Sequence, residues 1–99
     1  MTRRRVQVNQ SFFNRLDELL PAERTADGGP SATDFLLHEV PTVVDLLAED
    51  YIGTTLPVED APPVRVLITN GVLAPFIAVY AYLRVDDVVE VIYLDIDQT

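Results

Sequence analysis

Residues Val64 to Asp97 carry three apolar runs parted by two short turn signals, and this stretch restricts the fold more than any other. Val64-Arg65-Val66-Leu67-Ile68-Thr69 leads into Asn70-Gly71, two residues that tolerate the positive φ a type I′ hairpin turn requires. Phe76 to Leu83 then runs to Asp86-Asp87, and Val88 to Ile96 follows. β-branched and aromatic residues fill all three runs, which predicts a three-stranded antiparallel meander. In the middle run, alternation puts Phe76, Ala78, Tyr80 and Tyr82 on one face and Ile77, Val79, Ala81 and Leu83 on the other. The aliphatic face is expected to lie on helices, leaving the aromatic face to solvent or to a covering partner. Pro75 cannot donate a ladder hydrogen bond, so that strand is expected to start frayed, bulged or at an edge.

The first half of the chain reads as helical. Val6-Gln7-Val8 alternates as a short strand, and Ser11 is placed to cap a helix from Phe12 to Leu20. Phe13, Leu16, Leu19 and Leu20 would form its apolar stripe, and Pro21 ends it. Residues 22–30 have the turn chemistry of a loop. Ser31 and Asp34 have the spacing of a capping-box variant, and Asp34 also suits the positive end of a helix dipole. Ala32, Phe35, Leu36, Val40, Val43, Val44 and Leu47 continue the apolar stripe of this second helix. Pro41 falls inside it and demands either a kink or a fresh helix with Pro41 in its first turn; the unbroken periodicity favours the kink. Residues 49–63 lack periodicity and read as a connecting loop. The expected architecture is therefore α+β: a short N-terminal strand and a two-helix hairpin packed on a C-terminal antiparallel β-meander.

A chain of 99 residues with 48% apolar composition is expected to form one domain, residues 1–99, with its own core. It has no cysteine, which removes disulfides and thiolate metal sites and suits a reducing cytoplasm. No apolar run approaches the roughly 20 residues of a membrane span. Arg3-Arg4-Arg5 is not followed by the apolar core of a signal peptide, so a cytoplasmic protein is expected. Its net charge is −9, and its seven basic residues are all arginine. Nucleic-acid binders draw most of their affinity from a basic face, so nucleic acid is a poor direct ligand here and a basic protein surface a better one.

The likeness of the chain to a known family begins with three groups of residues, in this order. They are the first helix (Phe13, Leu16, Leu19, Leu20), Asp34-Phe35-Leu36-Leu37-His38-Glu39 in the second, and Val64-Arg65-Val66-Leu67 before a glycine turn. Val79-Tyr80-Ala81-Tyr82, an acidic turn and Val88-Val89-Glu90-Val91-Ile92 complete the pattern. In this order the chain resembles the RelE/ParE superfamily of bacterial type II toxins over nearly its whole length. The resemblance implies a stable toxin neutralised by a cognate antitoxin whose tail wraps around it, as a homodimer or a toxin–antitoxin heterotetramer. RelE-like members cleave mRNA on the ribosome with basic residues and a C-terminal aromatic or histidine. ParE-like members inhibit DNA gyrase and lack that set.

Cleavage of RNA through its 2′-hydroxyl needs a base, an acid and positive charge for the transition state. The positions that match the family pattern are Arg65, Arg84 and Tyr93, the only catalytic candidates. The lysines implied for the second helix are missing, and the chain ends Asp95-Ile96-Asp97-Gln98-Thr99, which would repel a phosphate backbone. This departure favours the ParE-like branch, acting by protein binding, with gyrase as the first target to consider. The mRNA interferase and a non-toxic interaction module are the alternatives. Phe12, Arg15, Arg65, Arg84 and Tyr93 are the expected partner-binding residues, with Phe12 and Arg15 exposed on the first helix. The acidity of the chain predicts lysines or arginines near the antitoxin segment that covers it.

The plainer readings of the same residues are structural. His38 is expected to be solvated, Arg65 to pair with a nearby acid, and Tyr80, Tyr82 and Tyr93 to pack on the sheet. Arg3 to Arg5 read as a solvated terminus or as a contact for the acidic last strand. Asp86 and Asp87 read as turn residues. No spacing of histidines and carboxylates suits a metal, and no cofactor is expected.

Overall fold

The computed structural model describes residues 3–21, 31–71 and 76–97. In chain order the elements are β1 (Val6–Val8), α1 (Gln10–Leu19), α2 (Ala32–His38), α3 (Val40–Glu49), α4 (Tyr51–Thr54), β2 (Leu56–Pro57), β3 (Val64–Thr69), β4 (Phe76–Leu83) and β5 (Val89–Asp97). The strands form one mixed sheet in the order β1-β5-β4-β3-β2. β3, β4 and β5 are the expected meander. β1 joins it parallel to β5, with Val6, Gln7 and Val8 opposite Val89, Glu90 and Val91. β2 adds an antiparallel edge through Leu56 opposite Val66 and Pro57 opposite Arg65.

The helices cover one face of this sheet. Ile77, Val79, Ala81, Val89, Val91 and Leu94 are buried there against Phe12, Leu16, Phe35, Val43 and Leu47. Residues facing each other across an antiparallel ladder share a face. The outer face therefore carries Val64, Val66 and Ile68 of β3 and Phe76, Ala78, Tyr80 and Tyr82 of β4, as the alternation predicts. β5 changes phase midway: Tyr80 faces Tyr93 but Ala81 faces Val91, so Ile92 is the extra residue of a bulge. The bulge turns Tyr93 outward while Val91 before it and Leu94 after it both enter the core.

Several local expectations are corrected. Asn9, and not Ser11, caps α1, its side chain accepting from the Ser11 amide. The Ser11 hydroxyl donates instead to the Ile92 carbonyl at 2.6 Å. α1 buries Phe12 and Leu16, its C-cap Leu20 continues the stripe four residues on, and Phe13 is turned to the margin of the core. The capping box of Ser31 and Asp34 forms as expected. Pro41 does not kink a continuous helix. α2 closes at Glu39 and α3 begins with the proline in its first turn, where no amide donor is needed.

The segment expected as a loop contains α4 and β2. Asp50 caps α4 by accepting from the Gly53 amide, and a side chain on Gly53 would collide with that carboxylate. Asn70-Gly71 is not a two-residue turn, since β3 ends at Thr69 and β4 starts at Phe76, with Thr69 opposite Ile77. A two-residue turn would set Val64 opposite Ile77 and swing Ile77, Val79 and Ala81 to the outer face. Core burial overrides the turn signal. The expectations for residues 22–30 and Pro75 lie outside the described residues. Asp87 does sit in a tight turn, with φ of 67°, its amide donating to the Arg84 carbonyl.

Candidate functional site

The arginines singled out in the sequence lie on different faces of the sheet. Arg65 faces the helix side of the sheet, opposite Pro57 and Ala81. Its Nε donates to Thr55 Oγ1 at 2.7 Å and its Nη2 to the carbonyls of Thr55 and Ile52. The Thr55 hydroxyl in turn donates to the Tyr51 carbonyl, and the buried Tyr51 hydroxyl donates to the Ala81 carbonyl. Arg65 therefore ties the end of α4 to the sheet through neutral acceptors, where sequence reasoning expected an acid. Its three hydrogen bonds go to the fold.

Arg84 lies on the other face, at the β1 end of the sheet. It donates to Gln7 Oε1 and Asp86 Oδ2, both at 3.0 Å, and pairs with Glu90 at 3.5 Å. Arg65 and Arg84 do not converge. Arg3 pairs with Asp45 and Glu49 of α3, and Arg4 with Asp87, so both arginines contact acids outside the last strand. Phe12, expected at the surface, is 2% exposed, because it heads the buried stripe of α1. His38 is exposed at the end of α2.

Arg15 and Tyr93 do come together. The Arg15 guanidinium lies 5.0 Å from the centre of the Tyr93 ring, and Tyr93 meets Tyr80 edge to face at 5.8 Å. Arg15 also donates to the Leu94 carbonyl and pairs with Asp95 at 3.3 Å and Glu18 at 3.5 Å. Among the described residues no three metal-ligating side chains cluster, and no helix is long and apolar enough to cross a membrane.

What the outer face offers is apolar surface. One cross-strand row reads Leu56–Val66–Tyr80–Tyr93, and the next reads Ile68–Ala78–Asp95. Leu56 is 60% exposed, Ile68 47%, and Phe76 and Tyr93 43% each. Between these side chains lies a groove of about 500 Å³ lined by Val66, Ile68, Phe76, Ala78, Tyr80 and Asp95. Sequence reasoning left the aromatic face to solvent or to a covering partner, and missed the groove, Leu56 and Asp95. The odd-to-even phase change between Val91 and Leu94 was the signal that Tyr93 and Asp95 would share this face.

Comparison of this chain with protein-family models, curated proteins and solved structures returned no match in any of the three.

Proposed function

We propose that this chain acts by binding protein through the outer face of its sheet, as a ParE-like toxin of a type II toxin–antitoxin pair. DNA gyrase is its proposed target, and a cognate antitoxin covers the apolar face and neutralises it, in the cytoplasm. The observation that carries this reading is the contiguous row Leu56–Val66–Tyr80–Tyr93, half-buried in the middle and exposed at both ends, on a small acidic molecule. Surfaces of this kind mark protein interaction sites. The disposition of the arginines supports the same reading over RNA cleavage. Arg65 is engaged by three backbone and hydroxyl acceptors and Arg84 by Gln7 and two acids, on opposite faces. A phosphorane-like transition state needs uncommitted positive charge at one point. The order of strand, helices and antiparallel meander is also the order on which the resemblance to the superfamily rests.

The test is induction of this chain alone in a bacterial host, with growth, plasmid supercoiling and mRNA integrity followed in one culture. Growth arrest with loss of supercoiling and intact message is the expected result. Arrest with cleaved message would replace it with the RelE-like reading, and normal growth would leave a non-toxic interaction module.

A further inference from the structure

The groove on the outer face has an uneven chemistry that specifies more than a sticky patch. Its floor is Ala78, the smallest side chain of the β4 outer face, 5% exposed beneath its neighbours. Phe76 and Tyr80 stand on either side of it along β4, two residues away in each direction. Strand geometry puts these two aromatic residues about 13 Å apart, a slot wide enough for one extended side chain between the rings. Across the strands the slot begins at Ile68 and ends at Asp95, both directly opposite Ala78 in the ladder.

We infer that this slot receives an arginine or lysine of a protein partner, with an aliphatic residue of the same partner seated beside it over Ile68. The inference rests on the protein-binding reading above and names the side chain that the partner contributes. The stem of such a side chain would lie on Ala78 between two aromatic walls, and its charged head would meet Asp95. Long basic side chains bury their methylenes on apolar surface while the head stays paired, and arginine is a frequent anchor of interfaces. Charge points the same way. The chain carries −9 overall, and among the described residues Asp95 supplies the one charged side chain of the lining. Arg15 engages Asp95 through Oδ1 at 3.3 Å, and the Asp95 side chain remains 57% exposed. A carboxylate accepts several hydrogen bonds, so an incoming cation shares it with Arg15. A volume of about 500 Å³ holds an aliphatic neighbour as well as the basic side chain.

The probe is acetyl-Leu-Arg-amide, titrated into the isotope-labelled full chain by NMR beside its citrulline counterpart, which keeps the shape and removes the charge. Saturable shifts are expected at the amides of Ile68, Ala78 and Asp95, with citrulline at least about tenfold weaker. Asp95→Asn should weaken the arginine peptide by a similar factor, and Ala78→Val should abolish saturation by filling the floor. Both variants should melt within about 4 °C of the parent, since neither touches the helix-packed core. Equal binding of the citrulline peptide, saturation away from the slot, or no saturation would each overturn the inference. So would concentration-dependent shifts at these amides without peptide, which would seat a second copy of the chain there. Failure of the peptide with growth arrest and lost supercoiling intact would remove the slot and leave the toxin reading standing.

Discussion

The two faces of β4 are built from adjacent residues and meet opposite fates. Ile77, Val79 and Ala81 are at most 1% exposed beneath the helices, while Phe76, next to Ile77 in the strand, is 43% exposed on the other side. Both faces are apolar, so hydrophobicity alone does not say which is core. The difference is in shape. The inner face is aliphatic and met by Leu16, Phe35 and Leu47; the outer face sets aromatic rings around a shallow alanine. Close-packed interiors leave no gap of this kind, and the gap on the outer face is where the proposed partner would sit.

Truncation on either side of the sheet breaks the comparison most directly. Leu94→Ala, in the core, is expected to cost about 3 kcal/mol, and Ile68→Ala, on the outer face, less than about 1 kcal/mol. Chemical denaturation of both variants would check this, and equal losses would mean that the outer face is a second core. A smaller effect concerns the inner face's polar staple. Arg65→Ala should cost about 2 kcal/mol by leaving Thr55 and the end of α4 without their donor. Arg65→Lys should recover less than half of it, because one ammonium cannot reproduce the guanidinium fork. Full stability of Arg65→Ala would return that side chain to the list of functional candidates.

The smallest expected effect is one of pH. Burial raises the Tyr51 hydroxyl above its ordinary pKa of 10.0, against the opposing pull of Arg65 and Arg4. The neutral form is thus favoured by folding. This contribution is fully present below pH 10 and is lost as pH rises through the folded value. Tyr51→Phe should cost about 1 kcal/mol at neutral pH and flatten the alkaline limb of a stability profile. An unchanged alkaline limb would show that another group governs it.

How much of this could be read from the chain depends on the range of the interaction. The β4 alternation, the Ser31–Asp34 capping box and the Asp86–Asp87 turn are local, and their residues announce them. The parallel pairing of β1 with β5 joins residues more than 80 positions apart, and three residues of alternation cannot name a partner strand. Phe12 and Phe13 are equivalent by composition, and only contact with the sheet selects Phe12 for burial. Pro41 left two structures open, and the periodicity of its neighbours favoured the wrong one. At Asn70-Gly71 a strong local preference loses to the register that buries Val79 and Leu67 together. The groove needed the most information, since its lining is assembled from β3, β4 and β5 at once.

The way α1 follows β1 bears on how one edge of the sheet is covered. β5 extends past β1, which pairs only with residues Val89 to Val91, and a valine- and isoleucine-rich strand left bare there would template another. The Asn9 amide, the Ser11 hydroxyl and the Arg15 guanidinium take up the carbonyls of Val91, Ile92 and Leu94 in turn. On the opposite margin, β2 is two residues long and one of them is proline. The β5 margin beyond β1 is thus taken up as far as Leu94 by one backbone amide and two side chains, so the rim that anchors the first helix also occupies the carbonyls that another strand would need.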